Sequence, residues 1–212
     1  MRRYQETYDE FRLDCPESYN FGYDVIDRFA EDAELEMMLW AGDDAADRRL
    51  TYSHFRDRSN QVVNALNSLG LRKNDHVMIV MSRVPQWWES MIGMIKAGII
   101  AAPGTTQLTE KDIKYRLEAS HIKCVITDTD NAHKFDNARK DFHDLKNLIV
   151  VGGDREGWHN YETLVSGHEK VVSSADRAFT HRDDPMLLYF TSGTTGQPKM
   201  ALHMHGYAHA HT

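Results

Sequence analysis

Apolar residues in this chain fall into two rhythms that take turns. From Thr51 onward, Phe55, Val62, Val63, Leu66 and Leu69 recur three and four positions apart and Gly70 follows, which predicts a helix with one buried face, capped by Thr51. "HVMIVM" (His76 to Met81) is a near-continuous apolar run, as in a strand covered on both faces. Pro85 opens a second helix, "QWWESMIGMIKAG", stopped by Gly98, and "IIAAPG" is the next strand. Thr109 with Asp112 has the spacing of a capping box for "EKDIKYRLEAS". "CVITD" is then a strand, "NAHKFDNARKDF" a helix and "NLIVVG" a further strand. Upstream, the first twenty residues are polar and expected to be irregular. "DVIDRFAED" predicts a short helix with Val25, Ile26 and Phe29 on one side, and "LEMMLWAG" a strand followed by an acidic turn at Asp43 to Asp47. Gly152 to Asp184 is a long polar connection with a helical turn near "YETLVS", and "DPMLLYF" is a strand entered at Pro185.

Strand and helix alternating in this order predict an α/β fold, a mostly parallel sheet flanked by helices on both faces. Residues 1–50 form an N-terminal extension with the first helix and strand, and 51–212 an α/β domain. At 212 residues the chain is one domain or one and a fraction. Met91, Met94 and Ile95 are expected to pack on the sheet, as is at least one of Trp87 and Trp88.

Charge and cysteine content narrow the partners. A net charge of −7, with basic residues scattered among acids, argues against nucleic acid. Two cysteines do not make a disulfide framework and suit a reducing cytosol, and Cys124, in the apolar run "KCVIT", reads as a buried hydrophobe. "MIGMIKAGIIAAP" is shorter than a membrane span and is broken by Lys96 and Pro103.

The strand "LLYF" changes abruptly into "TSGTTGQPKM". Thr191, Ser192, Thr194 and Thr195 supply hydroxyls. Gly193 and Gly196 let the backbone approach a ligand closely, and Lys199 supplies one ammonium behind Pro198. In open α/β sheets ligands bind beyond the carboxyl ends of strands, where this loop lies. A polyphosphate would use all of these groups together. The loop satisfies neither G-x-x-x-x-G-K-[ST] nor G-x-G-x-x-G. "TTQL" at Thr105 to Leu108 follows another strand end and reads as a connector.

"YFTSGTTGQPKM" resembles the phosphate-binding motif of the adenylate-forming enzymes, and "RVPQWWESMIGMIKAGIIAAPGTTQLTEKDIKYRL" is most similar to their medium-chain acyl-CoA synthetase branch. The resemblance covers roughly Leu50 to Met200. It implies a carboxylic acid, ATP, Mg²⁺ and coenzyme A as reactants: an acyl-adenylate and pyrophosphate form first, then an acyl-CoA thioester and AMP. It implies that Thr191, Ser192, Gly193, Thr194, Thr195, Gly196 and Lys199 hold the β- and γ-phosphates, with Lys199 and Thr191 acting directly in the chemistry. A family histidine near the acyl pocket corresponds to His203 or His205.

The family's adenine, ribose and catalytic-lysine motifs, which lie beyond this loop, are absent from the sequence. The chain is therefore expected to be an N-terminal fragment that stops inside a helix at "HGYAHAHT" and is inactive alone. Two other functions stay open: a non-catalytic nucleotide-binding module, and adenylation of another carboxylate such as acetate or an amino acid. His205 and His209 are spaced i, i+4, but without HExxH or a third ligand no metal site is expected.

Overall fold

The computed structural model describes residues 3–12, 14–42, 46–192 and 196–211. The polar start is not wholly irregular: α1 (Tyr4–Glu10) is a short helix that buries none of its residues. The helix expected from Asp24 is present, but Gly22–Asp27 has π geometry. A π turn departs from the 3.6-residue period. Ile26 is accordingly buried, while Phe29, expected beside it, is exposed and leans on the Tyr52 ring. β1 (Glu36–Trp40) forms an antiparallel pair with β2 (Arg48–Thr51), a strand the polar sequence "RRL" concealed. Of the expected acidic turn, residues 43–45 lie outside the described residues.

α2 (Tyr52–Ser68) starts where Thr51 accepts the His54 N–H, and α3 (Pro85–Lys96) starts on Pro85. Between and after them run β3 (His76–Val80), β4 (Ile100–Pro103), α4 (Glu110–Ser120), β5 (Cys124–Asp128), α5 (Thr129–Ala138) and β6 (Asn147–Val151). Both halves of the Thr109–Asp112 capping box form. The polar connection carries a two-residue strand, β7 (His159–Asn160), and α6 (Tyr161–Ser166). It then runs along α2, whose Asn60, Gln61 and Asn64 amides donate to the carbonyls of residues 168–171. β8 (Pro185–Thr191), β9 (Lys199–Met204) and α7 (His205–His209) complete the chain.

One sheet has the order β7-β6-β5-β3-β4-β8-β9; every pair is parallel except β8–β9. Side chains alternate across it. Val77 and Ile79 enter a core with Val62, Val63, Leu66 and Met94 from α2 and α3. Met78 and Val80 face the opposite way into Ile113, Leu117 and Phe135 from α4 and α5. Each such side chain withdrawn from water contributes roughly 1.5–3 kcal/mol before chain entropy is counted. Cys124 is buried in the first of these cores, which pushes its thiol pKa up.

α2 and α3 cross closely at Gly93, where a Cβ would stand 2.5 Å from Val62 Cγ1. Lys96 was expected only to interrupt an apolar run. It is instead fully buried, its ammonium 2.5 Å from Asp27 and 2.8 Å from the Asn60 amide oxygen. Burial lowers its pKa to about 8, against the opposing pull of Asp27.

Candidate functional site

β8 begins inside the core and ends outside it. Met186, Leu187 and Leu188 are buried, Phe190 is half-buried and Thr191 is exposed. The emergence follows from the sheet: the neighbouring β4 ends at Pro103, so β8 continues past the parallel layer toward its carboxyl edge. The chain then turns and returns antiparallel as β9, with Phe190 opposite Met200 and Thr191 opposite Lys199. A return strand was not expected. The cue was the alternation of Met200, Leu202 and Met204, which is too exposed to read as core.

Of the residues singled out in the loop, Gly193, Thr194 and Thr195 lie outside the described residues. Thr191, Ser192, Gly196 and Lys199 are described, and all four are exposed. The Thr191 hydroxyl donates to the Lys199 carbonyl at 3.3 Å, joining the two ends of the turn. Gly196 has φ +93°, in the left-handed region that favours glycine, and no atom of the described residues beyond its chain neighbours lies within 4 Å of where a Cβ would stand. No described carboxylate is paired with Lys199. The Thr191 and Ser192 hydroxyls, a left-handed glycine and an exposed lysine thus meet at one strand end, an arrangement suited to an anion.

Both stems of the turn rest on one turn of α4. Tyr115 Oη donates to the Pro198 carbonyl at 2.9 Å, and its ring meets Phe190 edge-on at 6.2 Å between centroids. The Arg116 guanidinium lies 5.0 Å from the Phe190 ring centre. Sequence reasoning missed both residues, because nothing local marks a contact across 83 positions.

The two histidines considered for one role have different surroundings. His203, half-buried on β9, lies between Tyr189, which it meets edge-on at 5.5 Å, and Tyr207, tilted against it at 4.4 Å. His205 is fully buried at the start of α7, and neither ring nitrogen has a hydrogen-bond partner among the described residues. Burial drives its pKa down to about 4, with Asp184 opposing and Lys73 reinforcing the shift. His209 meets the Tyr19 ring at 5.2 Å. No group of three or more His, Cys, Asp or Glu among the described residues could hold a metal.

Adjacent strand ends contribute exposed polar surface at Thr105 and Thr106 after β4, where Lys134 donates to the Thr106 carbonyl. Asp128, at the end of β5, is committed to structure. Burial would raise its pKa, but hydrogen bonds from the Ser82 and Asn131 backbone and side chains outweigh it and hold the carboxyl low.

A mostly parallel α/β sheet with a hydroxyl- and lysine-bearing hairpin at its carboxyl edge defines an open-sheet domain with a candidate anion site. The sequence matches the model of the AMP-binding enzymes over residues 28–212, and the chain belongs to that family. It is 33% identical over 210 residues to acyl-coenzyme A synthetase ACSM3, mitochondrial, of Mus musculus, covering 95% of this chain and 36% of that protein. Over 205 residues it is 34% identical to the mouse acyl-coenzyme A synthetase ACSM1, also named as mitochondrial, with 92% and 35% covered. The chain therefore spans about a third of the length of the curated relatives it matches.

Among solved structures, the anthranilate CoA ligase AuaEII in complex with anthranoyl-AMP superimposes with a TM-score of 0.81 at 26% identity, covering 92% of this chain and 36% of the ligase. The Brucella canis acyl-CoA synthetase shares the fold with a TM-score of 0.86 at 21% identity, covering 99% and 39%. No helix among the described residues is long and apolar enough to cross a membrane.

Proposed function

We propose that this chain is the triphosphate-gripping part of an AMP-forming acid–thiol ligase that makes acyl-CoA. In this reading a carboxylate oxygen attacks the α-phosphorus of ATP, the bond to the β-phosphate breaks, and pyrophosphate leaves. The coenzyme A thiol then attacks the acyl carbon and AMP departs. The chain's own residues supply positioning and charge neutralisation, which such transfers demand most. Thr191, Ser192, Gly193, Thr194, Thr195 and Gly196 offer hydroxyls and backbone amides to the β- and γ-phosphates. Lys199 neutralises the charge that grows as pyrophosphate departs. Mg²⁺ bound to the triphosphate would supply further neutralisation of the same charge.

The observation that carries the reading is the hairpin register. It sets Thr191 opposite Lys199 at the exposed carboxyl end of β8, with a left-handed Gly196 in the turn and no described side chain crowding it. We assign the acyl-pocket role to His203 rather than His205, because a fully buried ring cannot meet a substrate. Similarity to the ACSM relatives supports a medium-chain or short branched acid as substrate. Because the chain spans about a third of those relatives, we propose that turnover requires more than these 212 residues. The free thiols Cys15 and Cys124 fit a reducing compartment, the cytosol in this proposal.

Calorimetric titration with MgATP, pyrophosphate and AMP tests the reading. MgATP should bind and pyrophosphate should compete with it. Lys199→Ala should weaken MgATP by roughly tenfold or more, the value of a hydrogen bond to a charged group. Equal affinity in wild type and Lys199→Ala, or competition by AMP but not by pyrophosphate, would refute it.

A further inference from the structure

We infer that Tyr115 is a positioning residue for the hairpin: its hydroxyl, with the Arg116 guanidinium, clamps both stems of the turn onto α4 and so sets where Lys199 sits. The hydroxyl takes the carbonyl of Pro198, the residue directly before Lys199. The cross-strand register of β8 and β9 ends at the Thr191–Lys199 pair, and Pro198 lies one residue past that end. Tyr115 thus holds the backbone where the sheet stops holding it. On the other stem, Phe190 directly precedes Thr191 and is flanked by the Tyr115 ring and Arg116.

The clamp is itself well fixed. The capping box at Thr109 and Asp112 sets the start of α4, Ile113 and Leu117 are buried beneath it, and Arg116 donates to the Asp112 carbonyl at 2.9 Å. A loop gripped at both stems has less freedom to lose when an anion binds, and preorganisation of that kind raises affinity. The consequence for nucleotide affinity rests on the proposed phosphate-binding role; the clamp does not.

The test separates the two. Lys199 is an exposed trypsin site whose cleavage reads opening of the stem, and Lys140, exposed in a helical turn after α5, serves as the internal reference. In the ligand-free chain, Tyr115→Phe keeps the ring and deletes only the hydroxyl. Cleavage after Lys199 should rise about fivefold, as expected for one neutral hydrogen bond, with cleavage after Lys140 unchanged. Arg116→Met, which loosens the Phe190 stem, should raise the same cut, so the idea stays testable if Tyr115→Phe folds poorly.

Rates after Lys199 within twofold of wild type in both variants would overturn the clamp. So would a rise at Lys140 equal to that at Lys199, which would mean general destabilisation. With MgATP present, wild type should be protected at Lys199, and Tyr115→Phe should need several-fold more nucleotide for the same protection. If MgATP protects neither chain, the phosphate reading fails, while the ligand-free comparison still decides the clamp.

Discussion

His205 makes this fold sensitive to acid in a way that can be calculated and isolated. Its ring is fully buried at the junction of β9 and α7 and lacks hydrogen-bond partners among the described residues, while its backbone N–H donates to the Asp184 carbonyl at 2.9 Å. Burial lowers its pKa from 6.5 to about 4; Asp184 counters this, and Lys73, paired to Asp184 at 2.7 Å, adds to it. Between those two values the unfolded chain holds a proton that the folded chain refuses. The unfolded state therefore binds more protons, and stability falls as pH drops from 6.5 toward 4. Integrated, the loss attributable to this ring is about 2 kcal/mol between pH 7 and pH 5 and about 3 kcal/mol by pH 4. Urea unfolding of wild type and His205→Leu at pH 7 and pH 5 isolates the effect, because carboxylates common to both chains largely cancel in the difference. Wild type should lose about 2 kcal/mol more than His205→Leu over that interval. Parallel losses in the two chains would show that the ring is not held neutral by burial, and the reasoning would fail.

Gly93→Ala should destabilise despite the better helix propensity of alanine. The new Cβ would meet Val62 Cγ1 at 2.5 Å and Val62 Cβ at 2.6 Å, so a cost of about 1–3 kcal/mol is expected in urea unfolding, partly reversed by adding Val62→Ala. Lys96→Ala removes the cation from the buried contacts with Asp27 and Asn60, and a loss of about 3–5 kcal/mol is expected. An unfolding midpoint close to wild type would mean that Asp27 finds another partner or takes up a proton at little cost.

The parallel layer was legible in the sequence because its signals are local. Helical spacing in Phe55 to Leu69, the continuous run at His76 to Met81 and the Thr109–Asp112 cap each lie within one short stretch of chain, and each survives in the structure. The loop after Phe190 was also legible, since its composition changes abruptly within a few positions. Signals that conflict locally were lost. The π turn at Gly22–Asp27 broke the period that placed Phe29 inside, and the polar strand Arg48–Thr51 had no apolar run to mark it.

What order along the chain could not state was which distant groups meet. Lys96 reads as an interruption until Asp27, 69 residues away, arrives beside its ammonium. His203 and His205 are indistinguishable as letters, yet one lies between two tyrosine rings and the other is sealed from solvent. Tyr115 is an ordinary helix residue until the fold brings Pro198 within 2.9 Å of its hydroxyl. Backbone preference and periodicity act between near neighbours and are written into the sequence itself. Burial, pairing of charges and the grip on a loop depend on contacts across the sheet, and those exist only once the chain has folded.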